Sequence, residues 1–375
     1  MNTKVLKQNR FVIIMAGGRG ERFWPVSRKK TPKQLITLLE GRSFLQQAVD
    51  RVLPLVPFKN IYIITNAEQS KEVRRQLPKL PKENVVAEPV GRDTCAAVAL
   101  GAAIVGARSV DAVMAVLPAD HVIPAPKAFQ RVLTDAFEVA QRTRVIVTIG
   151  IPPTEPATGY GYIHVGESIP VSLGAKEYKT KISRVQRFVE KPNQEKAQEY
   201  IDSGEYCWNA GMFIWSYQTI MEGLELHCSE LAEASKRWLV ASTKSRLDRV
   251  LAKEYPAIKK ISIDFALLEK AKNVVVAAGD FAWDDLGAWT ALARHLKPDG
   301  AGNCAVADLV QVDSARNIVF DARTKNRTTI ALVGITDSII VQTDDSTLVA
   351  HKSQAQKIKD LVHQLGESKT HKKLV

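Results

Sequence analysis

Along the first 150 residues, apolar β-branched runs alternate with longer stretches whose apolar positions recur at helical spacing. RFVIIM (10–15), NIYIIT (60–65), NVVAE (84–88), DAVMAVL (111–117) and RVIVTIG (144–150) read as buried strands. Between them, SFLQQAVDRVL, TCAAVALGAAIVGA and KAFQRVLTDAFEVAQ read as helices. Strands alternating with amphipathic helices predict a parallel sheet covered on both faces, with ligands at the carboxyl ends of its strands. From about 151 the rhythm changes to strands and turns, ATGYGYIHVG, KISRVQRFVEKP and CWNAGMFIW, and then to a helical block at roughly 216–254. Between about 300 and 350 come short β-like runs (NIVF, TTIALVGI, SIIVQT, STLVAH) broken by Asp, Asn and Gly. SQAQKIKDLVHQL reads as a closing helix, and the basic tail GESKTHKKLV is expected to fray. Pro and Gly cluster at HLKPDGAGN, which places a domain boundary near 295: residues 1–295, then 296–375.

Composition narrows the class without naming a function. A chain of 375 residues with 45% hydrophobic and 25% charged positions is an ordinary globular protein, long enough for two domains. No apolar run approaches the length of a membrane span, and the first ten residues, MNTKVLKQNR, lack the apolar segment of a secretory signal. Cys95, Cys207, Cys228 and Cys304 lie far apart with no C-x-x-C pair, which argues against a zinc site or disulfide framework and fits a reduced cytoplasm. The net charge of +12 is spread along the chain rather than gathered with aromatics, so nucleic acid is not the expected partner.

One stretch does carry chemistry. IIMAGGRGERFWPVSRKKTPKQ (13–34) takes an apolar strand into a glycine-rich turn, and from Arg19 to Lys33 it holds six Arg or Lys against one carboxylate, Glu21. Glycines let backbone N–H groups close on an anion, and the added cations predict an anion of several charges. The turn is not a Walker A loop, because no G-K-[ST] follows at the required spacing. It is not a dinucleotide fingerprint either: Phe23 occupies the sixth position and Pro25 prevents an immediate helix.

GGRGERFWPVSRKKTPK resembles, without a gap, the signature of the nucleotidyltransferases that make NDP-sugars from a sugar 1-phosphate. The resemblance implies a Rossmann-like, GT-A-like α/β fold with a mixed sheet, helices on both faces and a small C-terminal β-helix-like domain. It implies that the loop of Ala16, Gly17, Gly18 and Gly20 wraps the nucleotide phosphates, while Arg22 and Lys33 neutralise charge where the reaction occurs. LPADH and WDDLGAW resemble the family's two metal-carboxylate segments, which implies Mg²⁺ held by Asp120 and Asp285 and leaves Asp284 as the variable neighbour. FVEKP, WNAGMF and TGYGYI resemble its sugar-phosphate segments, implying roles for Glu190, Lys191, Asn209, Gly211, Gly159 and Tyr160.

EPVGRDTCAAVALGAA (88–103) and SIDFALLEK (262–270) narrow the resemblance to the mannose-1-phosphate guanylyltransferase branch, with Glu88, Arg92 and Thr94 beside the nucleotide. Asp93 and Cys95-Ala96 depart from that branch's Asn and Ala-Pro where the loop opens toward the base. The implied substrates are GTP and mannose 1-phosphate. Another hexose or heptose 1-phosphate, a catalytically silent sugar-nucleotide sensor and a metal-dependent glycosyltransferase remain as alternatives, although the last would ordinarily show D-x-D where this chain has PADH. Longer members carry a sugar-isomerase domain after this region, and this chain is expected to lack one. Stacked β-coils have exposed ends, and a homodimer through the C-terminal domain is one way to cover them. His121, His164 and His227 match no triad and are expected to be structural or sugar-adjacent. Alanine at position 22 or 33 is expected to cut turnover without changing the Mg²⁺ requirement.

Overall fold

The apolar runs of the sequence all become strands in the computed structural model, which describes residues 8–39, 41–169 and 178–375. Most of the basic leading segment, residues 1–7, lies outside the described residues. Contacts group the chain into two units: residues 1–17, 46–119 and 123–283 form the first, and residues 18–45, 120–122 and 284–375 the second.

The first unit is built on nine strands: β1 (Arg10–Ala16), β2 (Ile61–Asn66), β3 (Val85–Glu88), β4 (Val113–Pro118), β5 (Ile146–Ile151), β6 (Tyr162–Ser168), β7 (Ile182–Val189), β8 (Tyr206–Ser216) and β9 (Val274–Ala278). They lie in the order β3-β2-β1-β4-β8-β5-β9-β7-β6. β1 to β4 are mutually parallel, and the pairs Ala16↔Thr65, Met15↔Pro118 and Asn66↔Glu88 bring their carboxyl ends level. β5 does not join β4 directly. β8 enters between them, antiparallel to both, which makes the sheet mixed. The interruption is tolerated because β8 is apolar on both faces along most of its length, as a central strand covered on both sides must be. The helix Asp93–Arg108 is apolar all round and accordingly buried. Ser235, from the helix Ser229–Thr243, donates its Oγ–H to the Ala99 carbonyl at 2.9 Å on that surface.

The second unit holds β10 (Cys304–Val306), β11 (Leu309–Val312), β12 (Ile318–Asp321), β13 (Ile330–Val333), β14 (Ser338–Gln342) and β15 (Thr347–His351). β10, β12 and β14 are parallel neighbours, as are β11 and β13, so successive stretches of chain stack as coils of a small β-helix. β15 closes the stack antiparallel to β14. Asparagines fix the corners. Asn303 Oδ1 accepts from Asn317 N at 2.9 Å and Nδ2 at 3.0 Å, and Asn317 Oδ1 accepts from Ser338 N at 3.0 Å. Both asparagines are fully buried, and stacking them satisfies turn backbone that water cannot reach.

The apolar interior of this unit joins Ile318, Phe320, Ile339 and Val341 to Phe23, Trp24 and Trp289. The outer face of β11 and β13 leaves Val310, Val312 and Val333 exposed. The tail does not fray as expected: residues Lys372–Leu374 form a 3-10 turn, and Trp24 Nε1 donates to the Leu374 carbonyl at 2.8 Å. A buried indole supplies the anchor that composition alone did not reveal. All four cysteines are free thiols. Among the described residues no helix is long and apolar enough to cross a membrane.

Candidate active site

Within the second unit the charged signature forms one wall of a cavity of about 340 Å³, lined by Arg19, Gly20, Arg22, Lys33, Asp120 and Asp285 among others. Three distant stretches of sequence therefore meet at one place. The turn Glu21–Phe23 presents Arg22 to solvent because its neighbour Phe23 is buried, its ring 5.1 Å from that of Trp289. Trp289 in turn donates its indole N–H to the Trp24 carbonyl at 3.1 Å. Gly20 has φ +62, and a Cβ there would lie 2.4 Å from Lys33 Cβ and 2.7 Å from Lys33 N. This glycine is thus demanded by the packing of the loop onto Lys33 as well as by any approach of a phosphate. Gly18 is less constrained; its carbonyl accepts from Gln34 Nε2 at 3.0 Å.

Lys33 is 5% exposed, which is rare for lysine, and its partners explain it. Its Nζ donates to Asp120 Oδ2 at 2.8 Å and to the Asp285 backbone carbonyl. Burial works to raise the Asp120 pKa, but the Lys33 ammonium and the nearby His121 outweigh it, and the carboxyl is held below its usual range. Asp120 and Asp285 line one cavity and offer hard oxygen donors, the type that Mg²⁺ takes together with phosphate oxygens and water. Lys33 already holds Asp120, so the shared Mg²⁺ expectation for the Arg22 and Lys33 variants is revised, as a prediction, for Lys33. Lys33→Ala frees a carboxylate, whereas Arg22, exposed on its turn, shares no such bond.

Asp284, read from sequence as the variable neighbour, is the most firmly held residue of its segment. Its carboxylate accepts from Arg294 Nε at 2.8 Å and Nη2 at 2.9 Å, from His295 Nε2 at 2.9 Å and from Leu286 N at 2.8 Å. Its backbone pairs with Val122 in both directions, at 2.9 and 3.1 Å. That bridge ties the short segment bearing Asp120 to the segment bearing Asp285. Burial pushes the Asp284 pKa up, but the His295 and Arg294 donors prevail and hold it far below the usual carboxylate range. The resemblance of WDDLGAW separates the two aspartates by position, but the hold on Asp284 comes from Arg294 and His295, which lie outside that string.

The remaining candidates belong to the first unit. Ala16 ends β1 and accepts from Thr65 Oγ1 at 2.9 Å, and a Cβ on Gly17 would stand 3.2 Å from Glu88 Oε2. Arg92 Nη2 donates to the Pro256 carbonyl, and Thr94 Oγ1 accepts from Ile263 N at 2.9 Å. Glu190 and Asn209 come together at Gly161, where a Cβ would lie 2.9 Å from Glu190 Oε2 and 3.6 Å from Asn209 Cβ. Asn209 Oδ1 accepts from Gly211 N at 3.0 Å, and Gly211 has φ +63. Tyr160 packs edge-on against Trp208 and Trp283, with ring centres 5.0 and 5.1 Å away. Lys191 bonds Glu190, and Gly159 stands in open space.

Asp264 is a residue the sequence reading passed over. It accepts from Asn209 Nδ2 at 3.1 Å, and burial followed by the nearby Glu190 charge raises its pKa. SIDFALLEK was legible only as a branch signature, not as a source of a site carboxylate. Of the histidines, His164 stacks on Tyr206 with ring centres 4.5 Å apart, while His121 is buried and lines the cavity beside Asp120.

Glu88 gives a test by pH. Burial pushes its pKa up from 4.5 to about 7, with the Tyr255 hydroxyl, which donates to Oε1, opposing and Asp93 adding to the rise. The folded state therefore holds a proton that the unfolded chain has released. The stability this contributes is complete below pH 4.5 and is lost as pH rises through about 7. Glu88→Gln is expected to gain on the wild type by up to about 3 kcal/mol between pH 5 and pH 8. Unfolding curves at both pH values check this, and an unchanged difference between the two proteins would refute it.

Comparison with known proteins adds to this geometry. The family model for nucleotidyl transferases matches residues 11–299, and that for the MannoseP isomerase/GMP-like beta-helix domain matches residues 307–365. A mannose-1-phosphate guanylyltransferase of Salmonella montevideo is 37% identical over 361 residues, which are 96% of this chain and 74% of that protein. The xanthan biosynthesis protein XanB of Xanthomonas campestris is 36% identical over 94% of this chain and 72% of its own length. A crystal structure of a mannose-1-phosphate geranyltransferase from Thermus thermophilus superimposes with a TM-score of 0.81 at 34% identity, covering 96% of this chain and 99% of that one.

Proposed function

The chain belongs to the nucleotidyl transferase family and is a nucleotidyltransferase enzyme, and we propose that it transfers GMP from GTP to α-D-mannose 1-phosphate, giving GDP-mannose and pyrophosphate. The observation that carries this reading is the cavity in which Arg22 and Lys33 converge with Asp120 and Asp285. An oxygen of the sugar phosphate attacks the α-phosphorus. The bond from that phosphorus to the bridging oxygen breaks, and its electron pair leaves with pyrophosphate. The two phosphate groups repel each other on approach, and negative charge grows on the departing group. Catalysis of such a transfer is mainly positioning and positive charge.

Arg22, on its exposed turn, is placed to follow the phosphates. Lys33, fixed by Asp120 and the Asp285 carbonyl, supplies a cation whose position is set before substrate arrives. Asp120 and Asp285 would hold Mg²⁺, which when bound screens charge shared by the two substrates. In the first unit, Glu190, Asn209 and Asp264 form a hydrogen-bonding group suited to sugar hydroxyls, and the Tyr160–Trp208–Trp283 cluster offers an apolar wall for a sugar face. Glu88, Arg92 and Thr94 are the residues proposed to lie beside the base.

Base choice tests this reading. A site that hydrogen-bonds one base edge rejects an analogue lacking those groups, because its own polar atoms are then left unpaired. With mannose 1-phosphate, kcat/KM for GTP is expected to exceed that for UTP or ATP by at least about tenfold. Glucose 1-phosphate with GTP should be slower than mannose 1-phosphate. Equal rates with UTP and GTP would sink the guanylyl assignment.

A further inference from the structure

The phosphate-sized cavity has one cation that no signature motif supplies. Lys359, from the helix Ile358–Glu367, lines it together with Arg19, Arg22 and Lys33. The helix is held against the glycine-rich segment at several points. Ile358, the residue before the lysine, is 3% exposed in the core shared with Phe23 and Trp289. One turn on and on the same face, His363 Nε2 lies 3.5 Å from Glu21 Oε2. Beyond the helix, the Trp24 indole holds the Leu374 carbonyl. The register of Lys359 relative to the turn bearing Arg22 is therefore fixed by packing on either side.

Nothing in the folding of the helix explains a lysine there. A cation in the first turn opposes the helix dipole, and Asp360 is the residue of that turn with the favourable sign. Lys359 is exposed and forms no ion pair among the described residues, whereas of the other cations lining the cavity Arg19 is paired with Glu21 and Lys33 with Asp120. A cation left without a carboxylate partner beside a cavity of this kind gains when a polyanion enters it.

We propose that Lys359 is a further substrate-binding residue, contacting the β- and γ-phosphates of the nucleotide and then the departing pyrophosphate. It makes the C-terminal unit a participant in substrate binding rather than only a scaffold. The inference rests on the reading of the glycine-rich segment as the nucleotide-phosphate loop, since Lys359 stands with Arg19 and Arg22 on that wall.

The test compares wild type, Lys359→Ala and Lys359→Arg, measuring pyrophosphate binding by calorimetry and KM for GTP and for mannose 1-phosphate separately. Lys359→Ala is expected to weaken pyrophosphate binding and raise KM for GTP roughly tenfold, the scale of one charge-assisted contact. KM for the sugar phosphate and the melting temperature without ligand should stay at wild-type values, and Lys359→Arg should recover most of the loss. If the wild type binds pyrophosphate but Lys359→Ala binds it within twofold as well, this inference alone falls. Equal weakening toward both substrates would also overturn it, as that is the mark of a displaced helix. If the wild type binds neither GTP nor pyrophosphate, the reading of the cavity falls and takes the role of Lys359 with it.

Discussion

Asp120→Asn and Asp285→Asn are each expected to lower turnover roughly 10²–10³-fold, about 3–4 kcal/mol, the scale seen when one preorganised electrostatic contact is lost. Asn keeps the volume and one oxygen but loses the charge that holds a cation, so both variants should need more Mg²⁺ for half-activity. Their stabilities should differ. Asp120 is the charged partner of a nearly buried ammonium, at 2.8 Å from Lys33 Nζ. Removing that charge leaves the Lys33 ammonium with neutral acceptors alone, the Asn oxygen and the Asp285 carbonyl. The Asp120 side chain is 35% exposed, so solvent screens part of the loss, and about 1–2 kcal/mol of destabilisation is expected. Asp285 meets Lys33 through its backbone carbonyl, so Asp285→Asn should leave that bond to the ammonium in place. Lys33→Ala should also cut turnover, yet lower the Mg²⁺ needed for half-activity, because it releases Asp120 from a competing cation. Mg²⁺ titrations of activity, with thermal unfolding in chelator, separate these outcomes. An Asn variant with wild-type turnover and Mg²⁺ dependence would show that its aspartate is no ligand.

Asp284→Ala should cause the largest loss of stability among single changes at this site. The Asp284 side chain is 6% exposed and accepts four hydrogen bonds, from Arg294 twice, His295 and Leu286 N. Breaking a buried ion pair from one side costs about 3–5 kcal/mol. Arg294 is 44% exposed and can be rehydrated, which trims the expectation to about 2–4 kcal/mol. The Leu286 amide cannot be rehydrated so readily: Leu286 is fully buried and sits at φ +48, a conformation the Asp284 carboxylate helps to hold. Asp284→Asn, which keeps one acceptor, should fall between the two. Denaturant unfolding measures the series, and a loss below about 0.5 kcal/mol for Asp284→Ala would show that the anchor is ornamental.

The parts of the fold and site set by local pattern were legible in the sequence. The runs around Val12, Ile63 and Val116 could only be buried strands, and the parallel order of β1 to β4 follows from the helices between them. What stayed hidden depends on long-range placement. Nothing local tells that β8 divides β4 from β5, because a fully apolar strand fits any central position. The glycine-rich stretch announced its charge, but not that Lys33 would be buried beneath Gly20 and clamped to Asp120. Asp264 and Lys359 were passed over, and the anchoring of Asp284 went unseen, for one reason. Each acquires its setting from side chains outside its own motif: Asn209 for Asp264, Arg294 and His295, ten and eleven positions on, for Asp284, the turn at Arg22 for Lys359. The tail was expected to fray on its composition, and a single indole 350 positions away holds it.

Phosphorus NMR of a single reaction distinguishes guanylyl transfer from any other use of GTP. With GTP, mannose 1-phosphate and Mg²⁺, GDP-mannose and pyrophosphate are expected in equal amounts, neither forming when the sugar phosphate is left out. GDP with inorganic phosphate, or pyrophosphate released without mannose 1-phosphate, would contradict guanylyl transfer.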